Sequence, residues 1–221
     1  MIAKDKDNPV VVELAAGTGI LTKALAEANA SGYAVEPNAA MRDEAIRLGN
    51  GAGSFDFVLK RAEATGLPQD KVDWIVIGNG FHLVDTEQTL KEALRLLRRQ
   101  GYFTAIWLMN DVTTEGIQKS TLELFRRSVP TLPNLDAVVE GLMVDLTQDP
   151  RFNNSSYMES IDTIEMTPLR YIEVWRSSNY VSSLAGSDLW NRLLSALVEL
   201  VGSCSVTTRW RTRAWTVQLS E

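Results

Sequence analysis

Two acidic residues and a turn of small residues are the first groups in this sequence that could do chemistry. Glu13 is followed by a small-residue turn at positions 15–19, AAGTG, which contains two glycines. Glycines let the backbone adopt positive φ and let a ligand approach the main chain closely. Glu36 follows at about the twenty-residue distance at which an acid in doubly wound α/β folds accepts hydrogen bonds from a ribose diol. These residues predict a site for a nucleotide or related cofactor, although glycine-rich turns also connect strands to helices without binding a ligand.

Apolar patterns around these groups predict the elements that position them. The β-branched run at positions 10–12 is typical of a strand buried on both faces of a parallel sheet. Positions 33–35 predict a second short strand that ends at Glu36. Apolar residues at 20, 21, 24 and 25 have helical spacing and begin directly after the turn. A strand, a small-residue turn and a helix N-terminus in this order form a cofactor cradle.

The motif ELAAGTG followed by AVEP-x3-M resembles the class I S-adenosylmethionine-dependent methyltransferases, especially the small-molecule branch that includes trans-aconitate methyltransferase-like proteins. A nicotinamide-binding Rossmann domain usually has G-x-G-x-x-G instead. The sequence departs from the family at Ala15, where glycine is most common, and we expect the alanine to be accommodated with a negative φ. The resemblance spans about residues 9–219 and is strongest over residues 9–110.

The resemblance implies a fold and a cofactor. The fold is α/β, with a Rossmann-like, seven-stranded, mostly parallel sheet, helices on both faces and a helical lid. The cofactor is S-adenosylmethionine, with S-adenosylhomocysteine as the product. Family members normally carry a helical segment before the first strand, so we expect the cover over the cofactor to be absent here or supplied from elsewhere. The residues implied in cofactor binding are Glu13, Ala15, Ala16, Gly17, Thr18, Gly19, Glu36, Pro37, Asn38, Met41, Ala62, Glu63, Asn79, Gly80 and Phe81.

Two further segments resemble family loops at the carboxyl edge of the sheet. The stretch RAEATGLP resembles an acid-Ala-Glu-x-x-x-Leu-Pro loop beside the adenine, but Arg61 stands where the family has the acid. A guanidinium cannot accept a hydrogen bond from the adenine amino group. That hydrogen bond would then be accepted by backbone groups or by Glu63. Glu63 could equally be a solvated charge on the loop. The stretch GNGFHLVD resembles Q-x-F-H-W, with Asn79 in the glutamine place and Leu83 in the tryptophan place.

His82, the only histidine, is the candidate catalytic residue. Its unperturbed pKa would suit a general base near neutral pH. The alternative is a packed histidine that fixes the loop through hydrogen bonds. Methyl transfer to a carboxylate or phenolate requires little beyond alignment of the reacting atoms, so a catalytic side chain need not exist.

Composition limits the class of protein. A chain of 221 residues with 45% hydrophobic content can bury one sizeable core. A net charge of −6 argues against a nucleic-acid partner held through phosphates. Cys204 is the single cysteine, which fits a reducing compartment. No apolar run could span a bilayer and the start lacks a secretory pattern, so we expect a cytoplasmic monomer or homodimer with no membrane partner and no metal.

Residues 112–158 interrupt the alternation of strands and helices, and the resemblance implies that they form a lid over the acceptor within a single domain of residues 1–221. A methionine in the lid suits an adaptable pocket, and aromatic residues near the acceptor could wall it. The same residues could instead pack a core, because apolar side chains at helical spacing usually do so. The candidate substrate residues are Trp107, Asn110, Met143, Trp175 and Tyr180.

The remaining elements follow from hydrophobic periodicity. Strands are predicted at 55–59, 72–77, 102–108, 160–166 and 205–219. Helices are predicted at 86–99, with Thr86 able to cap its start, and at 116–127, 135–146, 169–180 and 188–200.

The resemblance favours O-methylation of a small organic acid or natural product. Because the fold hosts many chemistries, two alternatives stay open: a cofactor-retaining enzyme that catalyses a cyclisation or rearrangement, and a non-catalytic cofactor-binding partner.

Overall fold

A computed structural model describes residues 8–113 and 115–220, apart from the side chain of Asn179. The strands are β1 (Val10–Leu14), β2 (Ser31–Val35), β3 (Phe55–Val58), β4 (Val72–Gly78), β5 (Leu97–Asn110), β6 (Phe152–Met166) and β7 (Val206–Leu219). The helices are α1 (Ile20–Glu27), α2 (Ala39–Arg47), α3 (Thr86–Leu96), α4 (Ile117–Ser128), α5 (Leu135–Gln148), α6 (Pro168–Arg176), α7 (Asn179–Ala185) and α8 (Ser187–Val201).

The strands form one seven-stranded sheet in the order β3-β2-β1-β4-β5-β7-β6. The pairs β1–β2, β2–β3, β1–β4 and β4–β5 are all parallel. This arrangement confirms the predicted Rossmann-like, mostly parallel sheet. The chain order reverses between β1 and β4, and the crevice at such a switch point is where open α/β sheets bind ligands.

The central strands are apolar because their neighbours cover them on both sides. Val11, Val12 and Leu14 of β1 are fully buried, as are Ile75 and Val76 of β4. A strand paired on both edges and packed on both faces requires the continuous β-branched run that the sequence has here.

The chain divides into two compact units. The first contains the described residues of Met1–Trp107, Ala137–Met158 and Arg213–Glu221, and the second contains those of Leu108–Asp136 and Glu159–Thr212. One cluster of the first unit includes Val11, Leu25, Ala30, Phe55 and Val76. The core of the second unit is aromatic and includes Phe125, Tyr171, Trp175 and Trp190. The single domain and the lid at 112–158 stay predictions.

The prediction of one helix over residues 86–99 is wrong at its carboxyl end. The helix α3 ends at Leu96, and Leu97 pairs with Val72 as the first residue of β5. Strand pairing therefore overrides the helical periodicity. The helix is capped by Asp85, whose carboxylate accepts from the Gln88 N–H, and not by Thr86.

The late elements also differ from their predicted bounds. The strand expected at 160–166 begins at Phe152 and is exposed along most of its length, so burial gave no signal for it. The helix expected at 169–180 is interrupted at Ser178, whose backbone is extended, and is therefore two helices, α6 and α7. The start of α6 is as expected, since the Thr167 hydroxyl accepts from the Arg170 N–H.

No helix in the described ranges is both long enough and apolar enough to cross a membrane.

Candidate functional site

The turn after β1 is tied to the end of β2 through Glu36. One carboxylate oxygen, Oε2, accepts from the Gly17 N–H at 2.8 Å, and the other, Oε1, accepts from the Asn38 N–H at 2.8 Å. The Ala16 N–H donates to the carbonyl of Val35 at 3.1 Å. Glu36 is buried. The predicted neighbourhood of turn and acid is therefore present, and the carboxylate also holds the turn in place.

Ala15 adopts φ +54°, so the expectation of a negative φ at this position is wrong. A left-handed conformation costs an alanine about 1–2 kcal/mol. The neighbouring loop accommodates its methyl group through Gly80, because a Cβ on Gly80 would lie only 2.8 Å from the Ala15 Cβ. Asn79, beside Gly80, also has a positive φ of 53°, and its N–H donates to the carbonyl of Ile106 at 2.8 Å. Two of the predicted cofactor segments therefore pack directly against each other.

Both glycines of the turn have a positive φ, and a side chain would be more crowded at Gly19 than at Gly17. A Cβ on Gly17 would lie 3.3 Å from Met41 Cε, so the methionine side chain lies over this part of the turn. A Cβ on Gly19 would lie 3.0 Å from Asn50 Cβ and 3.1 Å from Phe57 Cζ. At Gly19, a residue with a Cβ would press on the side chains of Asn50 and Phe57, which lie close against the main chain of the turn.

Asn50 was missed by the sequence analysis. Its Nδ2 donates to the carbonyl of Thr18 at 2.8 Å and so fixes the middle of the turn. It lies in the stretch GNGAGS, which composition describes only as a loop. The one sequence signal for it is an amide side chain placed between two glycines, Gly49 and Gly51.

Glu13 is buried at the end of β1 and accepts a short hydrogen bond from the Thr22 hydroxyl of α1. The pKa of Glu13 is raised to about 7, mainly by burial; the Thr22 hydrogen bond lowers it and the nearby Glu36 carboxylate raises it, and both effects are included in that value. Its bonded partner belongs to the helix, so Glu13 anchors α1 under the turn. A contact between Glu13 and the cofactor stays a prediction.

The residues after Glu36 form the start of α2. The Asn38 Oδ1 accepts from the Ala40 N–H at 3.0 Å and from the Met41 N–H at 3.3 Å, which caps the helix. Pro37, Asn38 and Met41 are exposed, so they remain accessible to a ligand beside the turn.

In the loop after β3, Ala62 is buried and Glu63 is paired. Glu63 accepts from Arg61 Nε at 3.2 Å and from the Asp85 N–H at 3.1 Å. Burial alone would raise the pKa of the Glu63 carboxyl, but backbone hydrogen bonds and the Arg61 guanidinium lower it overall. The carboxylate thus joins this loop to the start of α3, and its contact with an adenine stays a prediction.

His82 is half-buried in the short 3-10 turn after β4, and its Nδ1 accepts from the Trp107 Nε1–H at 3.2 Å. Burial lowers the pKa of the His82 imidazole. In a neutral ring whose Nδ1 accepts, the proton lies on Nε2, which is then a donor. The contact supports the alternative in which His82 fixes its loop. Phe81 is fully buried, with its ring centroid 5.4 Å from that of Phe103.

The predicted substrate residues are distributed between the two units. In the first, Trp107 packs edge-on against Trp215, and Met143 is buried. In the second, Trp175 is buried with its ring 5.0 Å from that of Phe125, which supports the core alternative. The second unit also contains Asn110, whose Oδ1 accepts from Gln118 Nε2 at 2.7 Å, and Tyr180, which packs on the aromatic cluster. Their contacts with an acceptor stay predictions.

In residues 8–113 and 115–220, no three His, Cys, Asp or Glu side chains come together as metal ligands.

Comparison with known proteins finds similarity to methyltransferases over the first half of the chain. Residues 12–105 match the family model described as "Methyltransferase domain". An uncharacterised methyltransferase of Anoxybacillus flavithermus is 39% identical over 103 residues, which are 44% of this chain and 46% of that protein. The chain spans less than half the length of the curated relatives that it matches.

Two solved structures share the fold. A proposed type II methyltransferase from Anaeromyxobacter dehalogenans has a TM-score of 0.66 and 18% identity, over 96% of this chain and 90% of that one. Phosphoethanolamine N-methyltransferase 2 of Haemonchus contortus, in complex with phosphomonomethylethanolamine and S-adenosylhomocysteine, has a TM-score of 0.53 and 13% identity, over 98% of this chain and 50% of that one. The matches show that residues 12–105 of this chain are similar to a methyltransferase domain and that the chain shares the fold of these solved structures.

Proposed function

We propose that this chain binds S-adenosylmethionine and transfers its methyl group to an oxygen atom of a small organic acid or natural product. The observation that carries the proposal is the 2.8 Å bond from the Gly17 N–H to Glu36 Oε2, next to the switch point between β1 and β4. It sets a buried carboxylate beside a turn of small residues in which Ala15, Gly17 and Thr18 keep partial exposure. An acid and a small-residue turn are the two groups that grip an adenosine in folds of this kind.

The residues around the turn fit this cofactor. An ionised carboxylate has about four acceptor positions, and backbone N–H groups from Gly17 and Asn38 occupy two of those on Glu36. The remaining positions can accept from the two hydroxyls of a ribose. Small residues at 15–19 leave room for the ligand against the main chain.

When bound, S-adenosylmethionine supplies an electrophilic methyl group on a sulfonium. The residues of this chain bind and orient it: Glu36 fixes the ribose, and the Asn79–Gly80 segment borders the turn through the Ala15 methyl group. An acceptor carboxylate or phenolate that is already ionised has no proton to lose. Alignment is then sufficient for much of the rate, so His82 is assigned to fixing its loop through Trp107.

The test is incubation of the full chain with methyl-labelled S-adenosylmethionine and a panel of small carboxylic acids and phenols, analysed by mass spectrometry. The proposal requires label in an acceptor and equimolar S-adenosylhomocysteine. Conversion of a substrate with the cofactor intact would favour a cyclisation or rearrangement instead. Binding of the cofactor without turnover of any acceptor would favour a non-catalytic partner.

A further inference from the structure

A group of charged side chains that the proposed function does not use lies in the second unit around Asp111. The Asp111 side chain is fully buried, at 0% exposure. Its Oδ2 accepts from Arg209 Nε at 3.0 Å, and its Oδ1 accepts from Arg211 Nη2 at 3.0 Å. Oδ1 also accepts from the N–H of Thr113 at 3.2 Å and from its hydroxyl at 2.7 Å. One buried carboxylate therefore serves two guanidinium groups.

The backbone around these arginines is held from several directions. The Asp111 N–H donates to the Arg209 carbonyl at 2.9 Å, which joins the chain after β5 to β7. Gln118 of α4, which is buried, accepts from the Arg209 N–H at 2.6 Å and donates to the Arg209 carbonyl at 2.9 Å. The guanidinium groups thus project from a fixed framework, which lowers the entropy cost of binding a ligand to them.

The charges in this cluster do not balance. Among the described residues, Asp111 is the one acid within ion-pair distance of Arg209 or Arg211, so two positive charges face one negative charge. Like-charged guanidiniums held together in a partly buried position are stabilised by a further anion.

The hydrogen bonds of Arg211 are also incomplete. Its Nε–H is buried and has no acceptor within the part of the chain that the structure describes, although the side chain as a whole is 17% exposed. Arg209 is 40% exposed and uses only Nε toward Asp111. The buried Nε–H leaves the Arg211 guanidinium short of acceptors, and the exposed parts of the Arg209 and Arg211 side chains are where an oxyanion can reach the cluster.

We propose that Arg209 and Arg211 form an anion-binding site in the second unit that takes the carboxylate or phosphate group of a small molecule. Guanidinium forks match these planar or tetrahedral oxyanions through paired N–H donors. Asp111 orients both arginines and prevents their mutual repulsion from separating them. No residue of the β1 turn takes part in this site, so oxyanion binding is measured separately from the proposed methyl transfer.

The test is calorimetric titration of the full chain with inorganic phosphate and, separately, with tricarballylate, with sodium chloride matched for ionic strength. We expect saturable binding of at least one of the two oxyanions. Tighter binding of phosphate would indicate that the site takes a phosphate group, and tighter binding of tricarballylate would indicate that it takes a carboxylate group. Absence of saturable binding of both would overturn the proposal.

Variants separate this site from general surface charge. R211Q is expected to weaken oxyanion binding about tenfold or more, as for loss of a hydrogen bond from a charged group. R192Q removes the same charge from an exposed position on α8 of the second unit and is expected to leave affinity unchanged. Equal weakening in R192Q, or no weakening in a folded R211Q, would contradict the site. If R211Q does not fold by circular dichroism, R209Q is measured in its place against the same expectation.

Discussion

The backbone N–H of Gly17 donates to Glu36 Oε2 across 2.8 Å, so the turn after β1 and the end of β2 are one structural piece. The same carboxylate accepts from Asn38, which begins the α2 segment. If the turn binds the proposed cofactor, an acid that holds the turn keeps it preorganised for that ligand. The bonds to Glu36 and from Asn38 hold the turn in place although its first position is an alanine with a positive φ.

Crowding at Gly19 predicts a stability difference between two glycine variants. G19A is expected to lower the free energy of unfolding by about 1–2 kcal/mol through left-handed strain and by about 1–3 kcal/mol more through contact with Asn50 and Phe57. G53A is the matched control, since Gly53 has φ +79° against +77° for Gly19 but nothing within 4 Å of its added Cβ. Urea denaturation measures both. Equal losses in the two variants would show that crowding at Gly19 is absent.

Burial of Glu13 predicts a pH-dependent loss of stability. Its pKa rises from 4.5 to about 7 on folding, so the folded chain holds a proton that the unfolded chain releases. The stabilisation of the folded state by this bound proton is complete below pH 4.5 and is lost as the pH rises toward 7. At 1.36 kcal/mol per pKa unit the loss is about 3 kcal/mol.

E13Q removes this titration and can still accept from Thr22. Urea denaturation of E13Q and wild type is expected to give similar stabilities near pH 4 and a more stable E13Q near pH 8. E27Q, at an exposed acid of α1, should follow the wild-type curve throughout. If the stabilities of E13Q and wild type change with pH in the same way, the account of Glu13 as an acid that stays protonated in the folded chain would be wrong.

The Trp107–His82 contact predicts a structural effect of His82. H82A leaves the buried indole N–H without its acceptor, which costs about 1–3 kcal/mol of stability. Turnover of an acceptor is expected to stay within about tenfold of wild type, whereas loss of a general base costs about 10²–10⁴-fold. The pH dependence of kcat distinguishes the two roles. Suppose that the wild-type plot of kcat against pH falls off near or below the ordinary imidazole pKa. If that fall is missing in H82A, His82 would be assigned to proton transfer.

The part of the fold around β1 and β2 could be predicted from sequence because its determinants are local. Each feature there depends on residues that are close in the sequence. These features are the β-branched run of β1, the glycines at 17 and 19, and the acid at 36. Neighbouring parallel strands then bring these groups to one edge of the sheet. The family match over residues 12–105 covers this same region.

The rest depended on tertiary contacts that no local pattern contains. The φ of Ala15 is positive because Ala16 bonds to Val35 and because Gly80 leaves room for the Ala15 methyl group. Leu97 has helical periodicity but pairs with Val72. Most of β6 is polar and exposed, so its length follows from its place next to β7 in the sheet. The Asp111 cluster joins residues about a hundred positions apart.

The most direct measurement of the central claim is calorimetric titration of S-adenosylhomocysteine into the full chain and into E36Q. The wild type is expected to bind one equivalent. E36Q is expected to bind about 10- to 150-fold more weakly, because hydrogen bonds to a charged group contribute about 1.5–3 kcal/mol. E44Q, at an exposed acid of α2, is the control and should keep wild-type affinity. A folded wild-type chain that does not bind, or a folded E36Q that binds equally well, would contradict the account.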